Sequence, residues 1–479
     1  MKNIRILLLS ALALTANISA SAYSFSATYN GTTIYYNITN SANKTVSVTY
    51  KDTGYNSYTT SSITIPKTVS NNGTTYTVTS IGDHAFYKCT ALTSVTLQNT
   101  ILSIDYCAFG NCSSLTTIAL PTSLTSIGEW AFGNCTGITK ITIPAGVTNI
   151  GKNAFIYCSG LTSINIPSGV KNIEALTFYN CSSLTQISIP EGVTSIGYEA
   201  FTNCSKLSSI SLPESLEDIG DYAFQDCYSL KNISLSNNIT YIGTNAFAGC
   251  KSMTSANIPS QLTSLSEGIF MNCSSLTKID IPSTITSINK KAFYGCSSLT
   301  SITIPSNVTK IEESTFYQCT NLCDVTIPSN ITSIGSHAFQ SCAITSFTLP
   351  ASLTSIGEYA FYDCEQLSDV NSIIKKPFVL GTNVFSGISS NCVLNVPSGT
   401  INAYSEAGWT TSIFKGGIKE FGPSADVNRD GAINVSDVTL LVSLILNGEG
   451  TIDYDLNGDG ILNVSDITAL VNIILGNEE

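Results

Sequence analysis

Two short stretches near the end of the chain gather the side chains best suited to chemistry. Asp426–Asp437 reads DVNRDGAINVSD, and Asp455–Asp466 reads DLNGDGILNVSD. Positions 1, 3, 5, 9 and 12 of the first stretch are Asp426, Asn428, Asp430, Asn434 and Asp437. In the second they are Asp455, Asn457, Asp459, Asn463 and Asp466. Gly431 and Gly460 stand at position 6, where the chain must turn sharply, and Ala432 and Ile461 offer a backbone carbonyl at position 7. A hard cation collects carboxylate, amide and carbonyl oxygens at this spacing. Three Asp in one loop repel one another without it. The pattern predicts two calcium ions, one per loop.

Loops of this kind need an element to hold them. Val438, Leu441, Val442 and Ile445 recur at the i, i+3, i+4, i+7 spacing of an amphipathic helix, as do Ile467, Leu470, Val471 and Ile474. A helix should therefore leave each loop. No helix enters the first, because Gly422-Pro423 blocks one. Position 12 is Asp in both loops, where an EF-hand carries Glu. Two loop–helix units without entering helices resemble a type I dockerin, over residues 426–479. The resemblance implies a cohesin-type module as partner. It places the contacts at loop positions 10 and 11, here Val435-Ser436 and Val464-Ser465. The family often has Ser-Thr there, which leaves the cohesin class open. The near-identity of the two halves keeps a two-orientation binding mode open.

Most of the chain before the loops is periodic. Phe109, Phe132, Phe155, Phe178, Phe201, Phe224, Phe247, Phe270, Phe293, Phe316 and Phe339 follow one another at steps of 23 residues. Phe86 extends the series backwards, and Phe361 and Phe385 extend it forwards at steps of 22 and 24. A fixed period of this length is the signature of a solenoid. Within the unit of Phe155, Val147, Ile150, Ala154, Phe155, Cys158, Leu161, Ile164 and Ile166 are apolar, and Pro167 closes the run. Ile164 and Ile166 alternate with Asn165, as in a strand with one face buried. Ala154, Phe155 and Cys158 sit at helical or 3₁₀ spacing, so a short helical turn is expected there. Gly151 suits a tight corner. One unit cannot offset the entropy of ordering its own backbone, so the units must stack.

The unit resembles those of the BspA-like leucine-rich repeat surface proteins of bacteria, close to I-G-x-x-A-F-x-x-C-x-x-L-x-x-I-x-I-P, over about 320 residues. The resemblance implies a secreted or surface-displayed protein, and for some members adhesion to host matrix proteins. The fold expected is a β-rich leucine-rich-repeat solenoid with short helical turns, followed by a small α-helical calcium-binding dockerin domain.

Thirteen of the sixteen cysteines lie three residues after a repeat Phe, from Cys89 to Cys342 at steps of 23, then Cys364. One repeated rung position is what a buried stack needs, and side chains that point the same way suit disulfides poorly. A reduced structural ladder is expected; Cys107, Cys323 and Cys392 fall outside it. The net charge is −12, and residues 424–479 hold ten Asp/Glu and one Arg. An acidic chain with no basic stripe excludes nucleic acid as a partner. Residues 1–22 read as a secretory signal, with Lys2 and Arg5, an apolar run over 6–16, and Ala20-Ser21-Ala22 for cleavage. That run is too short to span a membrane. The order expected is an N-terminal β cap at 23–80, the solenoid at 81–370, a C-terminal cap at 371–421, a linker at 422–425 and the dockerin at 426–479.

Catalytic groups are scarce. His84 and His337 each precede a repeat Phe by two residues, a variable slot that should face solvent, and no Ser-nucleophile, zinc or phosphate motif occurs. Glu174, Glu199 and Asp221 read as solvated charges. Thr142, Asn165, Ser188, Ser211 and Ser234 occupy one offset between the apolar strand residues and should line up as an exposed face. Solenoids commonly bind through such faces. The reading is a non-enzymatic binding or adhesion protein, whose ligand is a host protein or polysaccharide. The alternatives are a carbohydrate-active component of a cellulosome-like assembly and a passive spacer.

Overall fold

A computed structural model describes residues 22–397, 399–421, 425–428, 430, 432–448, 454–457 and 461–476. The expected secretory signal up to residue 21, the linker residues 422–424, the loop glycines Gly431 and Gly460, and Asp459 lie outside the described residues.

The chain begins with strands β1 (Phe25–Tyr29), β2 (Thr32–Asn40), β3 (Thr45–Thr49), β4 (Ser62–Thr64), β5 (Thr68–Asn71) and β6 (Thr74–Ile81). β1 and β2 form the expected antiparallel hairpin, with Asn30 and Gly31 both at positive φ, as a two-residue I′ turn requires. β6 pairs parallel with β3 on one side; on the other it pairs antiparallel with β5 over its first half and parallel with Ser103–Ile104 at its end. The sheet thus runs from the hairpins into the array without a break.

Most rungs contribute two short strands that pair parallel with those of a neighbouring rung. Before the Phe, Ser126–Ile127 pairs with Asn149–Ile150; after it, Lys140–Ile141 pairs with Ser163–Ile164. Fourteen phenylalanines form one column inside. Consecutive ring centroids are 5.0–5.9 Å apart and the planes lie within 18° of parallel. Offset stacking of this kind adds roughly 0.5–1.5 kcal/mol per pair beyond burial. Tyr58 closes the column against Phe86, and Trp409 and Phe414 close it against Phe385. Helix α1 (Ile401–Glu406) carries Tyr404 against Trp409 at that end.

The segment around each Phe is a succession of turns rather than a helix. In the rung of Phe155, Ala154, Ile156 and Cys158 donate their N–H groups back three residues within the rung. The alternate residues Asn153, Phe155 and Tyr157 donate to carbonyls of the next rung. That alternation demands left-handed backbone at Asn153 and Tyr157, both at φ 58, and it interrupts any helix. Gly151 is needed for a different reason than a corner. A Cβ there would lie 2.6 Å from the backbone nitrogen of Glu129 in the preceding rung.

All sixteen cysteines are unpaired thiols, and all but Cys323 are buried. From Cys112 to Cys364, each ladder thiol donates to the carbonyl of the preceding rung's Phe at 3.0–3.3 Å. Cys392 is buried outside the ladder. The tail contains helices α2 (Val435–Asn447) and α3 (Val464–Ile474), packed around Val427, Leu441 and Leu470. Among the described residues no helix is long and apolar enough to cross a membrane.

Candidate functional site

The acidic loops of the tail are joined to their helices by matching caps. Asn434 lies at the N-cap of α2 in extended conformation, and its side chain accepts from the Ser436 N–H at 2.9 Å. Asn463 does the same for α3 with Ser465 at 2.8 Å. Asp437 and Asp466 complete the two capping boxes from the first helical turn. Both are fully buried. Asp437 accepts from the Asn428 N–H at 3.0 Å and the Asn434 N–H at 2.8 Å. Asp466 accepts from the Leu456 and Asn463 N–H groups, each at 2.8 Å. Position 12 therefore ties the start of each loop to the start of its helix. Sequence reasoning assigned these two Asp to metal alone and missed this second task, which the capping-box spacing Asn-x-x-Asp could have signalled.

Within the first loop, Asp430 accepts the Ala432 N–H at 2.9 Å, and its own N–H reaches Asp426 and Asn428 at 3.2 and 2.9 Å. Asn434 and Asn463 donate from their side-chain amides to the carbonyls of Ala432 and Ile461, at 3.2 and 3.1 Å. Among the described residues no three His, Cys, Asp or Glu side chains converge as a ready-made metal site. The chemistry of the donors nevertheless suits a hard cation. They are oxygens, and Asp455 is buried with Asp437 and Asp466. Buried carboxylates call for a compensating charge. The expected contact residues at loop positions 10 and 11 are open to solvent: Val435 is 70% and Val464 69% exposed, with Ser436 and Ser465 exposed beside them.

The second candidate is the polar face of the repeats. Thr142, Asn165, Ser188, Ser211 and Ser234 are all exposed. Ser188 and Ser211 are register partners on adjacent strands, as are Thr303 and Thr326 further along. A shallow open groove lined by Gln186, Ile187, Ser188, Ser209, Ile210 and Ser211 follows this face. Asn165 behaves differently: its side chain accepts from the Ile143 N–H and donates to the Ile143 carbonyl, both at 2.8 Å. It replaces a ladder pair between rungs and is the least available of the five.

The histidines lie where rings meet. His84 is half-buried among Tyr50, Tyr55, Tyr87 and Tyr106, and burial lowers its pKa. His337 stacks on Tyr359 at 5.1 Å. Neither has the open, solvent-facing setting expected of its slot.

Residues 51–185, 171–300 and 286–407 match the profile of the BspA type leucine rich repeat region, and residues 424–475 match that of the dockerin type I domain. In structure the chain is similar to a leucine-rich repeat protein from Bacteroides ovatus, with 26% identity, 81% of this chain and 98% of that one covered, and a TM-score of 0.57. It is also similar to a leucine rich cell surface protein from Faecalibacterium prausnitzii, with 25% identity, 84% and 97% covered, and a TM-score of 0.47. No curated protein matches the chain.

Proposed function

The chain belongs to the BspA-type leucine-rich repeat family and ends in a type I dockerin domain, and from this premise we propose that it is a secreted, non-catalytic binding or adhesion protein. Its rod presents a recognition surface, and its tail docks onto a cohesin-type module. The observation that carries the reading is the join of two unlike parts: a rigid array whose exposed Ser and Thr keep register from rung to rung, and a tail whose exposed valines repeat in both halves.

In this reading Asp426, Asn428, Asp430, Asn434 and Asp437 hold one calcium ion with the carbonyl of Ala432. Asp455, Asn457, Asp459, Asn463 and Asp466 hold a second with the carbonyl of Ile461. Bound calcium supplies the positive charge that lets the carboxylates of each loop approach one another. Asp437 and Asp466 carry that constraint into the helix starts through the backbone bonds they accept. Val435, Ser436, Val464 and Ser465 then meet the cohesin-type partner. Ser188, Ser211, Ser234 and Thr142 offer short hydroxyls to a host protein or polysaccharide.

The tether is tested by calorimetry of the full chain in calcium against a panel of cohesin modules. Heat with at least one member is expected, and its loss on adding EGTA. No heat with any member would overturn the tether.

A further inference from the structure

A second exposed surface lies on the edge of the rod that leads into the Phe turns, away from the polar face. Tyr198, Tyr222 and Tyr241 come from three successive rungs, those of Phe201, Phe224 and Phe247, and from three different slots of the repeat. Tyr198 is 46% and Tyr241 50% exposed. The rings of Tyr198 and Tyr222 are 5.9 Å apart and meet at 78°, which makes an aromatic corner. The Tyr241 hydroxyl donates to Asp221 Oδ1 at 3.2 Å, and that oxygen also accepts the Thr244 N–H at 2.8 Å. A hydrogen bond to Glu199, burial and the nearby Asp221 carboxylate push the Tyr198 hydroxyl up to about 12. Burial, then Asp221 and Asp218, raise that of Tyr241.

The fold does not call for these rings. The slot of Tyr241 is Asn149, Asn172, Ser195, Asp218 and Ser264 in nearby rungs. The slot of Tyr222, at φ 58, is filled by Trp130, Asn153, Leu176, Glu199 and Asn245 in other rungs, all at positive φ, so the backbone does not require an aromatic residue there. Tyr198 and Tyr241 hold their rings in solvent, and Tyr222 holds a half-buried ring against Tyr198; none of the three belongs to the apolar core, so they point to recognition rather than packing.

Charge says what is recognised. Residues 191–259, the three rungs concerned, hold seven Asp/Glu and three Lys, a net −4, while residues 23–421 as a whole hold 23 and 18, a net −5. The three lysines, Lys206, Lys231 and Lys251, follow their Phe by four to seven residues, whereas the tyrosines precede theirs. Among the described residues Glu199, Asp218 and Asp221 form no ion pair. The hydroxyls of Tyr241 and Tyr198 already bond Asp221 and Glu199, but a hydroxyl does not offset their charge; a cation offsets it and meets the ring faces at the same time. We propose that Tyr198, Tyr222 and Tyr241, with Glu199, Asp218 and Asp221, form a docking site for a basic side chain, Arg above all, presented by a partner protein. This site is separate from the Ser and Thr face and does not depend on it.

The test is calorimetric titration of the calcium-loaded full chain with hexa-arginine peptide at low salt, with soluble hydroxyethylcellulose as the neutral arm. Y198L/Y222L keeps apolar bulk and removes the ring faces; Leu176 already occupies the equivalent of the Tyr222 slot at φ 59. Binding should weaken about tenfold in that variant, since each exposed cation–π contact contributes roughly 0.5–1 kcal/mol. D218N/D221N should weaken it comparably and flatten its salt dependence, and S188A/S211A should leave it unchanged. Hexa-arginine binding equal to wild type in both patch variants, no binding by wild type, or tyrosine-dependent retention of hydroxyethylcellulose instead would each overturn the proposal.

Discussion

In the rod one apolar cluster runs without interruption from Phe25 to Phe414, whereas the tail closes around Val427, Leu441 and Leu470 alone. Both regions are built from units too small to fold singly; the rod repeats its donor–acceptor bonds between neighbours, and the tail repeats them within each unit. In the rod the neighbour supplies apolar area, a ring face and a carbonyl for each thiol. In the tail two units have no third to lean on, and fully buried Asp437 and Asp466 take the place of a larger core. A long array can be stabilised by what its units share. A pair must be stabilised by something each unit captures.

The sharpest way to break this comparison is alkali. Burial raises every ladder thiol above its ordinary value of 9.0, to about 12 at Cys158, Cys273 and Cys364 and well above it at Cys135, Cys181, Cys204 and Cys227. A thiol whose native pKa is raised holds its proton more tightly when folded. Its contribution is complete below pH 9 and is lost as the pH climbs from there towards the native value. The loss is about 1.4 kcal/mol per pH unit for each thiol. Thirteen thiols in one cluster exceed the roughly 5–15 kcal/mol that stabilises a usual domain within about one unit. The rod should therefore lose its β signal in circular dichroism cooperatively near pH 10–11. The tail, loaded with calcium, should keep its helices. An intact rod at pH 12 with its thiols titrated would sink this account.

The converse challenge is removal of calcium. EGTA should abolish the helical signal of α2 and α3 and any heat with a cohesin module, because Asp437 and Asp466 hold the helix starts only while their loops are closed. The thiol and ring columns contain no metal ligand in this reading, so the β signal and the thermal midpoint of the rod should not move. Equal sensitivity of both regions to EGTA would mean that the tail does not differ from the rod in what stabilises it.

The period of 23 residues displays what all rungs share, which is why the stacked rings, the thiol ladder and the strand positions were legible before any coordinates, while the parallel sense of the pairing came from the structure. The Asn30-Gly31 hairpin and the two loop–helix units were legible because their turn chemistry is local. What single rungs do is hidden by the same regularity. Asn165 and Asn257 occupy the slot of Ser188 and Ser211, yet only their amides are long enough to close on both backbone groups of Ile143 and Leu235. Tyr198, Tyr222 and Tyr241 sit in three unrelated slots, so no periodicity reveals that the first two meet as rings and that the third bonds Asp221 beside them. The turn at Ala154–Cys158 misled for another reason. A step of three residues fits a helical turn and a run of left-handed turns equally well, and only bonds to the next rung decide between them.

The smallest effect separates packing from hydrogen bonding within the ladder itself. The Cys204 thiol donates to the Phe178 carbonyl at 3.2 Å, but that oxygen already accepts the Cys181 N–H at 3.1 Å. Losing the thiol therefore strands no acceptor. C204A should cost about 1 kcal/mol, mostly as lost contact and a small void. C204S is the more damaging change. A C–O bond is shorter than C–S, so the hydroxyl falls short of the carbonyl and stays buried with a stretched bond, a penalty of roughly 1–3 kcal/mol. Denaturant midpoints at unchanged slope should rank wild type above C204A, and C204A above C204S. A serine variant as stable as wild type would show that the column is held by its hydrogen bonds, and would make the rod resemble the tail more than its apolar spine suggests.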